Sequence, residues 1–273
     1  MSAIKTAKLT SPVLVGIRRI PFELLMFSRE LSAVVFSFAY PVVMYLIFVG
    51  SEVFDLQLND FTFAGYFLPG MIATGILLST TQELGPRIVA ERESSLLKRL
   101  RTTPATALSY VISKVGQVTV ITMLQVSLLL VIAHFCFDAP LPPDSEAWIL
   151  FSATLLLGIA CGAAVGFALA QLIPTVRSAN GTVMPVLLVL QFFSGVFFPF
   201  FSLPAWMRAI ADVFPLRWLT SNLRAVFFPE SFAEVEPSGS FQVGTGLIML
   251  SLWFLVSIIV AVRFFRWVPH EQK

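Results

Sequence analysis

Long uncharged stretches, separated by short clusters of charge and proline, set the frame of this 273-residue chain. Between Leu31 and Gly50 there is no charged residue, and about 20 residues at roughly 1.5 Å each match a hydrocarbon core of roughly 30 Å. The same pattern predicts further spans at about residues 61–82, 115–137, 148–173, 183–198 and 245–263, six in all. Residues 12–30 read differently. Val13, Ile17, Ile20, Leu24 and Phe27 recur every three or four positions while Arg18, Arg19, Glu23 and Glu30 take other faces, the pattern of an interfacial elbow helix. Between the fifth and sixth spans, Pro199, Pro204, Pro215, Pro229 and Pro237 cut residues 199–244 into pieces too short to cross. The piece Pro204–Ala211 is expected to dip into the outer leaflet as a short helix. The fold class is therefore all-α integral membrane, with residues 1–273 forming a single domain.

One polar stretch interrupts this frame. Residues 83–104 concentrate charge of both signs, and Val89, Leu96, Leu97 and Leu100 form one stripe while Arg87, Glu91, Lys98 and Arg101 fall elsewhere. Pro86 suits a first helical turn, and Pro104 cannot continue a helix, so an amphipathic helix over 86–103 is expected at the membrane surface. On residue types alone it is either a solvated, positive-inside anchor or a functional element.

Composition fixes the solvent. Hydrophobic residues make up 57% of the chain and charged residues 12%, about half the charge of a soluble domain. The net charge of +2 is too small to call for a nucleic-acid partner. Its distribution is more informative: fifteen of the 18 basic residues fall on one side when the termini and the loops after spans two and four are grouped, and only Arg208, Arg217 and Arg224 fall on the other. The positive-inside rule then places both termini and the charged helix in the cytoplasm of a multi-pass cell-membrane protein. No compact apolar segment followed by a cleavage site is expected to be removed from the N-terminus.

The predicted span interiors carry no Asp, Glu or Lys, and Arg263 only closes the sixth, which argues against proton- or sodium-driven transport. No GxxxxGK[ST] loop is present to cradle nucleotide phosphates. His134 and His270 are isolated, and Cys136 and Cys161 lack metal-ligand spacing, so no metal site, catalytic residue or cofactor is expected in this chain. Gly158, Gly162 and Gly166 form a GxxxGxxxG groove for close helix packing, either within the fold or in a dimer.

Leu68-Pro69-Gly70, then Glu91-Arg92-Glu93-Ser94, Lys98-Arg99-Leu100-Arg101, Thr102-Thr103-Pro104 and Lys114 resemble the ordered signature of ABC-2 type permeases, the membrane subunits of ABC exporters. Phe193-Ser194-Gly195-Val196-Phe197-Phe198-Pro199, Leu203-Pro204-Ala205-Trp206, Pro215-Leu216 and Leu223-Arg224 resemble the outer re-entrant region of that family. The likeness covers roughly residues 20–265. Ser95-Leu96 stands where members often carry Gly-Thr, which favours a more continuous helix here. The resemblance implies a half-transporter: two permease copies, or a permease and a homologue, docked on two copies of a separate cytoplasmic ATPase that binds ATP and magnesium. Residues 86–103 would be the coupling helix, with Glu91, Arg92, Glu93, Ser94, Ser95, Lys98, Arg99 and Arg101 facing the ATPase or the elbow. Phe198, Pro199, Leu203, Pro204, Trp206 and Pro215 would belong to the outer gate. The likeness is greater to the drug and antibiotic exporter branch, implying an apolar or amphiphilic cargo such as a drug-like compound or lipid. Export of a lipid-linked glycan or polysaccharide is the alternative, and a scaffold or channel without an ATPase, or an intramembrane enzyme, are the rival classes.

Overall fold

The computed structural model describes residues 11–50, 63–94, 96 and 106–264. The expected helix beyond Ser94, with Ser95, Lys98, Arg99 and Arg101, lies outside the described residues apart from Leu96, as does the acidic segment 51–62. All regular elements among the described residues are helical. In chain order they are α1 (Pro12–Arg29), α2 (Leu31–Gly50), α3 (Phe63–Leu77), a π-helical segment (Leu78–Gln82), α4 (Leu84–Glu93), α5 (Ala107–Phe137), α6 (Ser145–Leu172), α7 (Val176–Phe193), α8 (Ala205–Ala211), α9 (Pro215–Phe227) and α10 (Val243–Arg263). Short 3₁₀ turns at Phe200–Ser202 and Glu230–Val235 flank α8 and α9.

Five of these helices, α2, α5, α6, α7 and α10, are long and apolar enough to cross a membrane. The second expected span is built differently, as α3 followed by the π segment, and it occupies the middle of the bundle. From Tyr66 to Ile76 its hydrophobic side chains are at most 1% exposed. A helix apolar on every side is stable only when covered on every side, and α2, α5, α6 and α9 supply that cover.

The helix starts show local chemistry that hydropathy alone does not weigh. α5 begins eight residues before the expected span because the Thr106 hydroxyl accepts a hydrogen bond from Ser109 N–H at 3.2 Å. α7 begins at Val176 rather than 183 because Thr175 and Ser178 form a reciprocal capping box. Asp144 caps α6, accepting from Ala147 N–H at 2.8 Å.

The glycine groove of α6 faces elements of the same chain. A Cβ at Gly158 would meet Leu219 of α9, one at Gly162 the Thr80 side chain, and one at Gly166 the Thr80 carbonyl oxygen at 2.7 Å. The π segment is thus pressed into this groove, and Thr81 Oγ1 donates to the Gly162 carbonyl at 3.0 Å. Ser79 Oγ, on the same segment, donates to Gln125 Oε1 of α5 at 2.6 Å. These bonds supply polar partners at membrane depth, where none come from solvent.

Candidate functional site

α4 continues the central helix beyond the π segment, with Glu83 as the single turn residue between them. Pro86 is the third residue of α4, in its first turn. Periodicity sets Glu91 off the apolar stripe, and the resemblance turns Glu91 and Arg92 toward the ATPase or the elbow; the structure buries both, at 7% and 1% exposed. The reason is that α1, α5, α6 and α7 all converge on this short helix or on the residues bonded to it.

Lys114 of α5 is the centre of the convergence and is fully buried. Its Nζ donates to Glu23 Oε2 of α1 at 2.7 Å and to Glu91 Oε1 of α4. Arg19 Nε donates to the other Glu23 oxygen at 2.9 Å, and Tyr110 O–H donates to Glu91 Oε2 at 2.7 Å. Two cations and two carboxylates therefore balance within one cluster, the condition under which buried charge is tolerated. Burial alone would raise the Glu23 pKa, but the charges and hydrogen bonds of Lys114 and Arg19 outweigh it and hold the carboxyl below its ordinary value. Because that pKa is lowered, Glu23 contributes stability above its unfolded value, and the contribution is lost as pH falls through the folded one.

The two neighbouring residues reach the opposite way. Arg92 Nη1 donates to the Ala170 carbonyl at 2.8 Å and Nη2 to the Ile173 carbonyl at 2.6 Å, satisfying acceptors at the C-terminal end of α6. Glu93 Oε1 accepts from Val176 N–H, the first residue of α7, at 3.1 Å. Glu93 and Ser94 are themselves exposed. Within three residues, α4 is bonded to α5, and through Lys114 to α1, on one side and to the α6–α7 turn on the other.

Glu83 marks the junction between the central helix and α4. Burial, reinforced by the negative charge of Glu30 and opposed by Arg87, pushes its carboxyl up to about 7. A raised carboxylate pKa means that the folded protein holds a proton the unfolded chain has released, so stability falls as pH rises from about 4.5 to about 7. Glu83→Gln is expected to flatten the pH dependence of the melting temperature in that window and to raise it at pH 8. An unchanged pH profile would contradict this.

The second group of expected residues lies at the other end of the bundle. Pro199, Leu203 and Pro215 are buried, whereas Phe198, Pro204 and Trp206 are exposed, with Trp206 edge-on to Phe193 at 5.9 Å between ring centres. Beside them is a cluster formed by Arg217, Arg224 and Glu236, of which the sequence singled out Arg224 alone, in the Leu223-Arg224 piece of the resemblance and without a role. Arg224 is fully buried, stacks 4.1 Å from the centre of the Tyr66 ring and donates to the Gly195 carbonyl. The two ends share one helical run: Tyr66 and Glu91 are 25 residues apart along α3, the π segment and α4, about 38 Å of helix at about 1.5 Å per residue.

A helical bundle with five membrane-length helices among its described residues and a polar junction at one end defines a multi-pass membrane protein. The ABC-2 type transporter family model matches residues 21–228, about three quarters of the chain, and the chain belongs to that family. It is 24% identical over 190 residues to a protein of Pyropia yezoensis named "Putative transport permease ycf38", covering 68% of this chain and 64% of that one. A protein of the same name from Porphyra purpurea is 23% identical over 205 residues, covering 71% and 69%. The match spans slightly less than two thirds of the first relative's length and slightly more than two thirds of the second's.

Proposed function

We propose that the chain is the membrane-spanning permease of an ATP-driven exporter, powered by a separate cytoplasmic ATPase and working as a pair of permeases with two ATPase copies. In this reading α3 and the π segment form the second of six spans, α1 is the interfacial elbow, and α8 and α9 belong to a re-entrant region on the outer side. Both termini are cytoplasmic, and α4 with the residues that follow it is the ATPase docking element. The observation that carries the proposal is the junction at Glu91, Arg92 and Glu93, which ties one short helix to four others through hydrogen bonds and an ion-pair network. Such an element passes a rigid-body displacement to the whole bundle rather than to one loop. The apolar composition, with 27 Phe, fits an apolar or amphiphilic cargo.

The test is to co-express the chain with the ATPase encoded beside it, purify through a tag on the permease in nanodiscs, and measure what co-purifies. A stoichiometric complex that hydrolyses ATP is expected. A well-folded permease that brings down no ATPase would favour a scaffold or channel.

A further inference from the structure

Five pieces of chain meet at the end of the bundle opposite α4. α9 brings Arg217 and Arg224, the 3₁₀ turn after it leads into Glu236, α3 brings Tyr66, the turn after α7 brings Gly195, and the next 3₁₀ turn brings Phe200. Arg217 Nη2 lies 3.5 Å from Glu236 Oε2, and Arg224 Nη1 lies 3.6 Å from Glu236 Oε1. Asp212, half exposed, reaches Arg217 Nε at 3.7 Å. Each guanidinium also lies over an aromatic face, Arg217 at 3.6 Å from the Phe200 ring centre and Arg224 at 4.1 Å from that of Tyr66. Tyr66 O–H in turn accepts from Phe200 N–H at 3.3 Å.

Two features set this cluster apart from the Lys114 network. One buried carboxylate serves two buried guanidiniums, and the three separations exceed the roughly 2.7–2.9 Å of a tight charged hydrogen bond. In addition, Arg217 Nη1, Arg224 Nε and Nη1 and Glu236 Oε1 are buried without a hydrogen-bond partner. Beyond the Arg224 bond to Gly195 and the two aromatic faces, the charges are held by loose pairs with unfilled donors, and hydrating them would recover part of what burial costs. A partly satisfied buried network of this kind is the costliest polar arrangement to keep dry.

We infer that Arg217, Arg224 and Glu236 form a charge clamp that closes this end of the bundle and opens by hydration. Tyr66 sits under the Arg224 guanidinium and on the same helical run as α4, so displacement of that run withdraws one aromatic platform from the clamp. The clamp itself does not depend on the permease reading; only the source of the movement that opens it rests on that reading.

Ser194, fully buried beside Gly195, is the reporter position. The test uses purified full-length chain in nanodiscs, with Cys136→Ser and Ser194→Cys, and a polar maleimide whose site of attachment is read by peptide mass. Cys161, buried in α6, is the internal control for general loosening. Glu236→Gln removes the shared charge and is expected to speed labelling at Ser194→Cys on the order of tenfold without speeding labelling at Cys161. Asp212→Asn, on a half-exposed side chain, is expected to act in the same direction more weakly, and it replaces the first variant if Glu236→Gln does not fold. Unchanged labelling at Ser194→Cys, or equal acceleration at Cys161, overturns the clamp. In the ATPase complex, ATP is expected to speed labelling at Ser194→Cys in the absence of clamp substitutions. Loss of that response alone, with the Glu236→Gln effect intact, overturns the drive from α4 and leaves the clamp standing.

Discussion

Replacing Lys114 with methionine is expected to destabilise the bundle by about 3–5 kcal/mol, the range found when one partner of a buried ion pair is removed. The side chain is fully buried between Glu23 and Glu91, and methionine fills most of its volume, so the loss is electrostatic rather than steric. Without Lys114, two carboxylates face each other with Arg19 to compensate, and the ion pair of Arg19 is with Glu23 rather than Glu91. The measurement is a detergent melting curve followed by size-exclusion fluorescence. Adding Glu23→Gln and Glu91→Gln to Lys114→Met is expected to restore most of the lost melting temperature, because the three groups act as one unit. Additive losses would show that they do not.

Arg92→Ala is expected to cost about 2–3 kcal/mol, the magnitude of charged hydrogen bonds whose carbonyl partners are left unmatched. The loss is local. Ala170 and Ile173 lie at the α6–α7 turn, so amide exchange should accelerate there before it does in α3. Arg92→Lys is expected to rescue little, since a single ammonium cannot copy a fork that reaches two carbonyls at once. Equal protection of residues 170–178 in wild type and Arg92→Ala would contradict the capping role.

These expectations invert part of what the sequence suggests. The hydrophobic pattern gives the limits of α2 and comes within two residues of the start of α10, because an uncharged run of membrane length leaves few alternatives. It also puts Pro86 in a first helical turn. The pattern does not reveal what covers a polar face. On α1 the apolar stripe predicts Glu23 outward, yet Glu23 is buried while Val13 and Ile17 are about half exposed. In a bilayer an exposed apolar face is satisfied by lipid, and the polar side chain turns inward to a partner 91 residues away. No local spacing carries that information. The π segment Leu78–Gln82 is equally silent in sequence, since its Ser and Thr residues make bonds to α5 and α6 that depend on the assembled bundle. Arg217 is only a minority charge on one side of the membrane, and Arg224 a signature position without a role, until Glu236 is placed between them.

The burial of Glu91 and Arg92 changes the meaning of substitutions there. In the proposed reading, substitutions at these two act on the ATPase through the fold, whereas the exposed Glu93 joins α4 to α7 by one bond and can be altered with little cost to stability. The most direct test of α4 as the point where ATPase motion enters is therefore the ATP hydrolysis of the nanodisc complex, compared between wild type and Glu93→Gln. The account predicts that Glu93→Gln melts normally and retains its ATPase, but loses most of the permease-dependent stimulation of hydrolysis. Stimulation by Glu93→Gln equal to that by wild type would contradict it.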